Sequence, residues 1–127
     1  MSVQLNHTIV MVRDKLEAAR FYTEILGLSE ATRFGPFMVV TLANGVSLDF
    51  DETQDKIVPL HYAFLVNDDE FDRSFDRIRA RGLDYWADPR RSQAGEINFH
   101  FGGRGVYFQD PSGHLLELIT RPYDIDQ

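Results

Sequence analysis

The chain has 127 residues, of which 43% are hydrophobic, 26% charged and 13% aromatic, a composition that indicates one globular domain rather than a disordered segment. Its formal net charge of -7 argues against a protein that binds nucleic acid or anionic membranes through a basic surface. The absence of cysteine excludes disulfides, thiolate metal sites and a cysteine nucleophile. No apolar run approaches the roughly 20 residues that span a bilayer, and no signal peptide is recognisable, so we expect a cytoplasmic protein.

The first half of the sequence predicts a strand, a helix and then three strands. Asp14 is placed to cap the helix together with Glu17, and Gly27 is placed to end it. Asn44-Gly45 is a strong signal for a two-residue hairpin between the last two strands. The four predicted strands are Leu5 to Val12, Ser29 to Phe34, Pro36 to Ala43, and Val46 to Phe50.

The second half predicts the same order of elements with a longer polar loop. A strand from Leu60 to Val66 carries His61, and Asn67 or Asp68 can cap a helix that ends at Gly82. A further strand begins in the stretch 83–86, and residues 87–94 form the loop. After an irregular or edge segment at residues 96–101, a closing hairpin turns at Asp110-Pro111-Ser112-Gly113.

Matching residues recur in the two halves. His7 and Gly27 in the first half correspond to His61 and Gly82 in the second, and a carboxylate follows the turn glycine of each closing hairpin, Asp49 in one half and Glu117 in the other. We therefore predict an α+β fold made of two tandem βαβββ modules, about residues 3–55 and 58–122 of a single domain 1–127. Their mixed sheets would form one curved cup with the helices outside.

Glu117 interrupts the apolar run Leu115, Leu116, Leu118 and Ile119, so its carboxylate needs a compensating positive charge. Neutral imidazoles and an ionised carboxylate are donors that suit a divalent first-row metal ion. His7, His61 and Glu117 are accordingly the predicted metal ligands. The alternative for Glu117 is an ion pair with an arginine such as Arg104 or Arg121.

Asp49 has two open interpretations. It is either a fourth ligand or general base, or a residue that faces solvent beside the polar Ser47 and Asp51. His114, three residues before Glu117, is expected on the opposite face of the strand with a structural role.

His100 and Tyr107 are predicted as catalytic groups that donate protons or hydrogen bonds beside a metal-bound substrate. The alternative is a loop histidine and a half-buried strand aromatic. Four arginines are candidates for binding an anionic substrate, with a solvated surface as the alternative: Arg13, Arg90, Arg91 and Arg104.

The tandem modules, with His7, His61 and Glu117 in these places, resemble the vicinal oxygen chelate superfamily of glyoxalases, bleomycin resistance proteins and extradiol dioxygenases. The most specific part is the run from Tyr107 to Glu117, which reads YFQDPSGHLLE. The resemblance implies the glyoxalase/bleomycin resistance/dihydroxybiphenyl dioxygenase-like fold, a small-molecule substrate and a divalent metal ion such as Fe(II), Mn(II), Ni(II) or Zn(II).

The segment from Asn98-Phe99-His100 through Tyr107 and Asp110-Pro111 to Glu117 is similar to the extradiol dioxygenase signature. In that family the matching His and Tyr assist catalysis and the Glu binds iron. We therefore expect dioxygenase-like chemistry at a site of two His and one carboxylate. The chain departs from familiar extradiol enzymes in having one such domain rather than two.

Three alternatives arise from the same resemblance. A glyoxalase-like lyase or isomerase would use a carboxylate to move a proton, but Asp49 stands where Glu is usual. A fosfomycin-type thiol transferase shares His7, His61 and Glu117. A bleomycin-resistance-like protein would sequester a ligand without chemistry, and such proteins usually lack the metal residues.

The resemblance also implies a homodimer, because members of the superfamily commonly pair modules across subunits. Two arrangements are open: His61 comes from a different chain than His7 and Glu117, or all three residues come from one chain.

Overall fold

The computed structural model describes residues 2–125, and the chain divides between Val58 and Pro59 into two compact units. Each unit holds one helix and one four-stranded mixed sheet in the order βαβββ, which confirms the predicted α+β class and the tandem repeat. In the first unit the elements are β1 (His7–Val12), α1 (Lys15–Leu26), β2 (Thr32–Phe34), β3 (Phe37–Thr41) and β4 (Ser47–Glu52). In the second they are β5 (His61–Leu65), α2 (Asp68–Ala80), β6 (Tyr85–Trp86), β7 (Gly105–Gln109) and β8 (Leu115–Ile119).

The two sheets share one topology. The strand order is β1-β4-β3-β2 in the first unit and β5-β8-β7-β6 in the second. The first strand of each unit runs parallel to the last, and the other neighbours are antiparallel. The last strand therefore lies inside each sheet, so a carboxylate on β4 or β8 has a strand on either side.

The helices begin and end largely as predicted. Asp14 accepts hydrogen bonds from the amides of Leu16 and Glu17, and Gly27 ends α1 with a left-handed φ of 67°. A complete capping box occurs at α2, where Asn67 and Glu70 accept each other's backbone amide hydrogen bonds. The helix α2 stops at Ala80, before the predicted Gly82.

Each sheet buries one face against its own helix. We call the opposite face of each sheet its presented face. Strand alternation places the buried residues Val10, Val12, Leu48 and Phe50 on the helix side of the first unit. The presented face carries His7 and Asp49 there, and His61, Tyr107 and Glu117 in the second unit. The predicted metal ligands and catalytic strand residues thus share the presented faces.

Most strands are shorter at their ends than predicted, most clearly β2, which begins at Thr32, and β6, which has two residues. The exception is β4, which begins one residue later than predicted and continues to Glu52. The long loop after β6 has its own order. Asp88 accepts hydrogen bonds from the backbone amides of Ser92 and Gln93, Asn98 pairs with Gly105 in an isolated bridge, and His100–Gly102 forms a 3₁₀ turn. No helix among residues 2–125 is long and apolar enough to cross a bilayer.

Candidate metal site

Glu117 is the buried carboxylate at the centre of the second unit, with 1% of its surface exposed. Its position on β8 is paired with Ala63 on β5 and Tyr107 on β7, so these residues share a face of the sheet. His61, two residues before Ala63, points to that face as well. The sheet register therefore gathers His61, Tyr107 and Glu117, as the sequence predicted for residues that serve one site.

His61 meets Glu117 directly. Its Nε2 lies 3.1 Å from Oε1 of Glu117, and its Nδ1 lies 3.0 Å from the carbonyl oxygen of Leu115. A carbonyl oxygen only accepts, so Nδ1 carries a proton and Nε2 is the nitrogen that faces the carboxylate. Metal-binding histidines commonly have this arrangement, with one ring nitrogen donating to a backbone carbonyl and the other free for the metal.

The contact requires a proton or a cation between the two atoms. A neutral His61 would place the lone pair of Nε2 against a lone pair of Oε1, which is repulsive. A proton on Nε2 or a divalent cation bound by both atoms removes the repulsion and compensates the buried carboxylate. The donor set fits a first-row metal ion such as Fe(II), Mn(II), Ni(II) or Zn(II). Among residues 2–125 no group of three or more His, Asp or Glu side chains clusters as a metal site.

The arginine alternative for Glu117 does not hold for Arg104. The guanidinium of Arg104 pairs with Asp72 at 2.7 Å and with Asp68 at 3.1 Å, and it lies 4.5 Å from the ring centroid of Phe71. The hydrogen bond with Asp72 is the largest cause of a raised pKa for Arg104. This arginine instead links the residue before β7 to the side chains of α2.

Two tyrosines complete the surroundings of Glu117. The hydroxyl of Tyr123 donates a hydrogen bond to Oε2, and the hydroxyl of Tyr107 lies 3.1 Å from that of Tyr123. Because the Tyr123 proton is directed at the carboxylate, the proton between the two phenols belongs to Tyr107. The ring of Tyr107 also stacks on that of His61, with 6.0 Å between ring centroids.

Both phenols are held in the protonated form. Burial is the largest cause of a raised pKa for Tyr107, followed by its hydrogen bond to Tyr123 and the nearby charge of Glu117. Burial also raises the pKa of Tyr123, and the hydrogen bond to Glu117 adds to the effect. Tyr107 therefore serves as a hydrogen-bonding group near neutral pH, not as a base.

The closing turn supports the start of β5. The side chain of Asp110 accepts hydrogen bonds from the amides of Ser112 and His114, at 2.9 and 2.8 Å. His114 is 1% exposed, and its Nδ1 accepts the amide hydrogen of Leu60 at 2.9 Å. This histidine has a structural role, because it fixes the residue that precedes His61.

His7 and Asp49 lie together on the presented face of the first unit. The Nδ1 of His7 bonds the side-chain oxygen of Asn6 at 2.7 Å, which leaves Nε2 as the acceptor nitrogen. Asp49 is 8% exposed and accepts a 2.7 Å hydrogen bond from Ser47. The interpretation of Asp49 as a solvent-facing residue is wrong, because little of its surface is exposed.

His100 and the arginines occupy different surroundings. His100 is exposed in the 3₁₀ turn with its ring 6.4 Å from that of Phe101, and its side chain joins no hydrogen bond in the described part of the chain. Arg13 donates to the backbone carbonyls of Thr53 and Asp55. Arg91 lies over Trp86, 5.9 Å from its ring centroid, and shares with His61 the lining of a cavity of about 310 Å³.

Tyr123 is the residue that sequence reasoning missed. It lies beyond the last strand and outside the run that carries the family resemblance, so neither strand alternation nor the repeat pointed to it. Its aromatic character in a polar terminal segment was the one signal that could have found it.

Comparison with known proteins shows the family to which the chain belongs. Residues 4–118 match the family described as the Glyoxalase/Bleomycin resistance protein/Dioxygenase superfamily. The chain is 58% identical to Oxidase ChaP-H1, covering 97% of this chain and 99% of that one with a TM-score of 0.95. Oxidase ChaP-H2 is 56% identical, with 98% of each chain covered and a TM-score of 0.95.

A more distant curated relative is the glutathione transferase FosA of Serratia marcescens, which is 30% identical over 93% of this chain and 81% of the relative. The family match spans nearly the whole sequence, and these relatives are enzymes. The chain is therefore an enzyme of the Glyoxalase/Bleomycin resistance protein/Dioxygenase superfamily.

Proposed function

We propose that this enzyme is a metal-dependent oxidase of a small organic molecule. The observation that carries the proposal is its similarity to Oxidase ChaP-H1 and ChaP-H2, at 58% and 56% identity over nearly the full length of each chain. The His61–Glu117 pair supports it, because two convergent donors of these types suit a redox-active or Lewis-acidic divalent ion. The proposal retains the use of dioxygen that the sequence predicted. It does not require that the enzyme cleave an aromatic ring.

In this proposal His61 and Glu117 hold the metal ion and His7 is the third ligand. The bound ion would supply open positions for substrate and dioxygen. Tyr107 and Tyr123 hold the carboxylate in place and stay protonated. His100 and Asp49 remain proposed catalytic groups, and Asp49 is proposed as a fourth ligand or general base.

The proposed substrate occupies the cavity beside His61. Arg91 lines this cavity and has no carboxylate partner among the described residues, whereas Arg104 is paired with two aspartates. A guanidinium is well suited to an anionic or phenolic oxygen. We therefore infer a substrate that carries such an oxygen, as a catecholate does.

Oxygen consumption tests the proposal. The protein is loaded anaerobically with Fe(II) or Mn(II), and oxygen uptake is followed with a panel of catechols and hydroquinones. In a two-electron oxidation, the substrate gives two electrons and two protons to dioxygen, which leaves as hydrogen peroxide. In ring cleavage both oxygen atoms enter the product, so labelling with ¹⁸O₂ separates the two reactions.

His61→Ala is the control, because it removes one proposed ligand from a half-exposed position. We expect oxygen uptake by the wild-type protein and none above background for the variant. Equal uptake by both proteins, or none by the wild type with any phenol of the panel, would contradict the oxidase proposal.

The second candidate is a thiol transferase of the fosfomycin-resistance type. The curated relatives support this alternative better than they support extradiol ring cleavage, which was the first choice from sequence. We prefer the oxidase proposal, because the sequence identity of this chain to the oxidases is nearly twice its identity to FosA. Incubation of metal-loaded protein with fosfomycin and glutathione, followed by mass spectrometry of the thiol adduct, tests the candidate.

We further propose a cytoplasmic homodimer. The lack of cysteine is compatible with a reducing compartment, and the superfamily resemblance implies paired modules. Two alternatives remain. Lyase or isomerase chemistry would show as turnover of hemithioacetals by the metal-loaded protein. Ligand sequestration would show as binding without turnover.

A further inference from the structure

We propose that Tyr123 is a positioning residue that fixes the Glu117 carboxylate, so that Oε1 is the oxygen presented to His61 and to a metal ion. The inference rests on the proposed metal site and assigns it a residue that lies outside all the strands. Tyr123 acts through Glu117 and does not touch the metal position itself.

The two oxygens of Glu117 have different partners. Oε2 accepts the hydrogen bond from the Tyr123 hydroxyl, whereas Oε1 faces Nε2 of His61 at 3.1 Å. A buried carboxylate with one oxygen engaged offers the other as a single donor atom. Without Tyr123 the carboxylate could rotate, and its second oxygen would be buried without a donor.

Tyr123 lies outside the strands, and it contacts three residues: Glu117, Tyr107 and Phe101. Its hydroxyl lies 3.1 Å from that of Tyr107, and its ring lies 5.2 Å from that of Phe101 at an interplanar angle of 32°. Phe101 has a φ of 57°, a left-handed conformation that is costly for a residue with a side chain. The loop thus adopts a strained conformation at the residue that touches Tyr123.

The loop and the terminal segment are packed closely at Gly103. A Cβ atom there would lie 2.6 Å from Cγ of Arg121 and 2.6 Å from Oγ1 of Thr120. The amide of Arg104 also donates to that Thr120 hydroxyl at 2.8 Å. Glycine at this position therefore lets the segment that carries Tyr123 lie against the loop that carries Phe101.

The test compares Tyr123→Phe with Tyr85→Phe. Tyr85 lies on the helix side of the same sheet, where its ring packs edge-on against Phe75. The purified full-length proteins are titrated with Co(II), and affinity and the visible absorption spectrum are recorded. We expect about a 10-fold loss of affinity and an altered spectrum for Tyr123→Phe, because loss of such a supporting hydrogen bond typically weakens metal binding 10- to 100-fold.

Gly103→Ala provides a second variant, since it displaces the terminal segment while Tyr123 remains. It should weaken Co(II) binding in the same direction, with thermal stability of the metal-free protein measured in parallel. Unchanged Co(II) affinity and spectrum in Tyr123→Phe, or an equal loss in Tyr85→Phe, would overturn the inference while the metal site stands. If the wild type binds no Co(II), Mn(II) or Fe(II), both the proposed function and this inference are wrong.

Discussion

At the scale of single residues, the proposed chemistry of the second unit depends on Glu117. It is the charged side chain in an apolar strand, and its partners are an imidazole and a phenol rather than an arginine. A carboxylate with these neighbours is stable when it shares a proton with His61 or binds a cation. The same feature that costs stability in the metal-free protein is therefore expected to favour the binding of a cation.

Replacement of Glu117 by Gln separates metal binding from folding. The amide keeps an oxygen that can accept from Tyr123, and His61 is half exposed and can be hydrated. We expect the free energy of unfolding of the metal-free protein to change by less than about 1 kcal/mol, because the amide also removes the cost of burying a charge. The affinity for Mn(II) or Co(II) should fall by more than about 10-fold. Urea denaturation and metal titration measure the two effects, with the exposed Glu96→Gln as the control that should alter neither.

The raised pKa values of Tyr107 and Tyr123 predict that the metal-free protein loses stability at alkaline pH. Their pKa values are raised in the folded state above the usual 10, so the folded protein keeps protons that the unfolded chain loses. Stability from this source is complete below pH 10 and falls as the pH rises beyond it. Urea denaturation between pH 8 and pH 11 should show this decline.

The variant Tyr123→Phe should show a weaker decline over the same pH range, because one of the two phenols is gone. Tyr85→Phe is the matched control and should retain the wild-type pH dependence. A pH profile that is the same in all three proteins would contradict the assignment of the effect to Tyr123.

At the scale of elements, the first strand of each unit carries a histidine, but the residue paired with that histidine on the last strand differs between the units. In the first unit His7 is paired with Ser47, and in the second unit His61 is paired with Leu115. The Ser47 hydroxyl donates to Asp49, while Leu115 offers no donor side chain and the longer Glu117 reaches His61 instead. These differences between the two strands thus direct the two carboxylates to different partners.

The closing turn of the second unit predicts a stability effect. Asp110 is 5% exposed and accepts two backbone hydrogen bonds that shape the turn before β8. Asp110→Ala should lower the free energy of unfolding by about 1–3 kcal/mol, because two amide donors lose their acceptor. Chemical denaturation measures the loss, and the exposed Asp55→Ala should change stability by less than about 0.5 kcal/mol. Equal stability of the two variants would contradict this role for Asp110.

At the scale of the whole molecule, the repeat gives each unit a histidine on its first strand and a carboxylate on its last. His61 and Glu117 provide two donors, and a divalent metal site usually needs at least three protein ligands. The homodimer expected from the superfamily resemblance leaves two arrangements open, a site within one chain or a site shared by two chains. The predicted third ligand, His7, is the residue with which this can be tested.

Mixing two variants tests whether two chains build one site. His7→Ala and His61→Ala homodimers should each lose high-affinity Co(II) binding. If each site takes His7 from one chain and His61 from the other, a heterodimer of the variants keeps one intact site. We expect subunit exchange to restore about one quarter of the wild-type binding capacity, as expected for random pairing into dimers. No restoration after exchange, shown complete by mass spectrometry, would mean that each site takes both histidines from one chain.

The sequence by itself determined the order of elements and the shared face of the predicted residues. Periodicity, the caps at Asp14 and Asn67 and the glycine turns are local signals, and the repeat doubles each of them. Burial of Glu117 followed from its apolar neighbours, and the position of His61 on the same face as Glu117 is consistent with strand alternation. The signals for these features lie in residues that are close in sequence, or in the repetition of the same pattern in the second half of the chain.

The tertiary structure decided which partners the buried groups have. Arg104 could have paired with Glu117 by charge alone, but in the folded chain it lies beside α2 and pairs with Asp68 and Asp72. Tyr123 reaches Glu117 from a segment without periodic structure, held by Phe101 and by the close approach at Gly103. Contacts of this kind depend on how distant segments pack, and no local pattern of residue types encodes that packing.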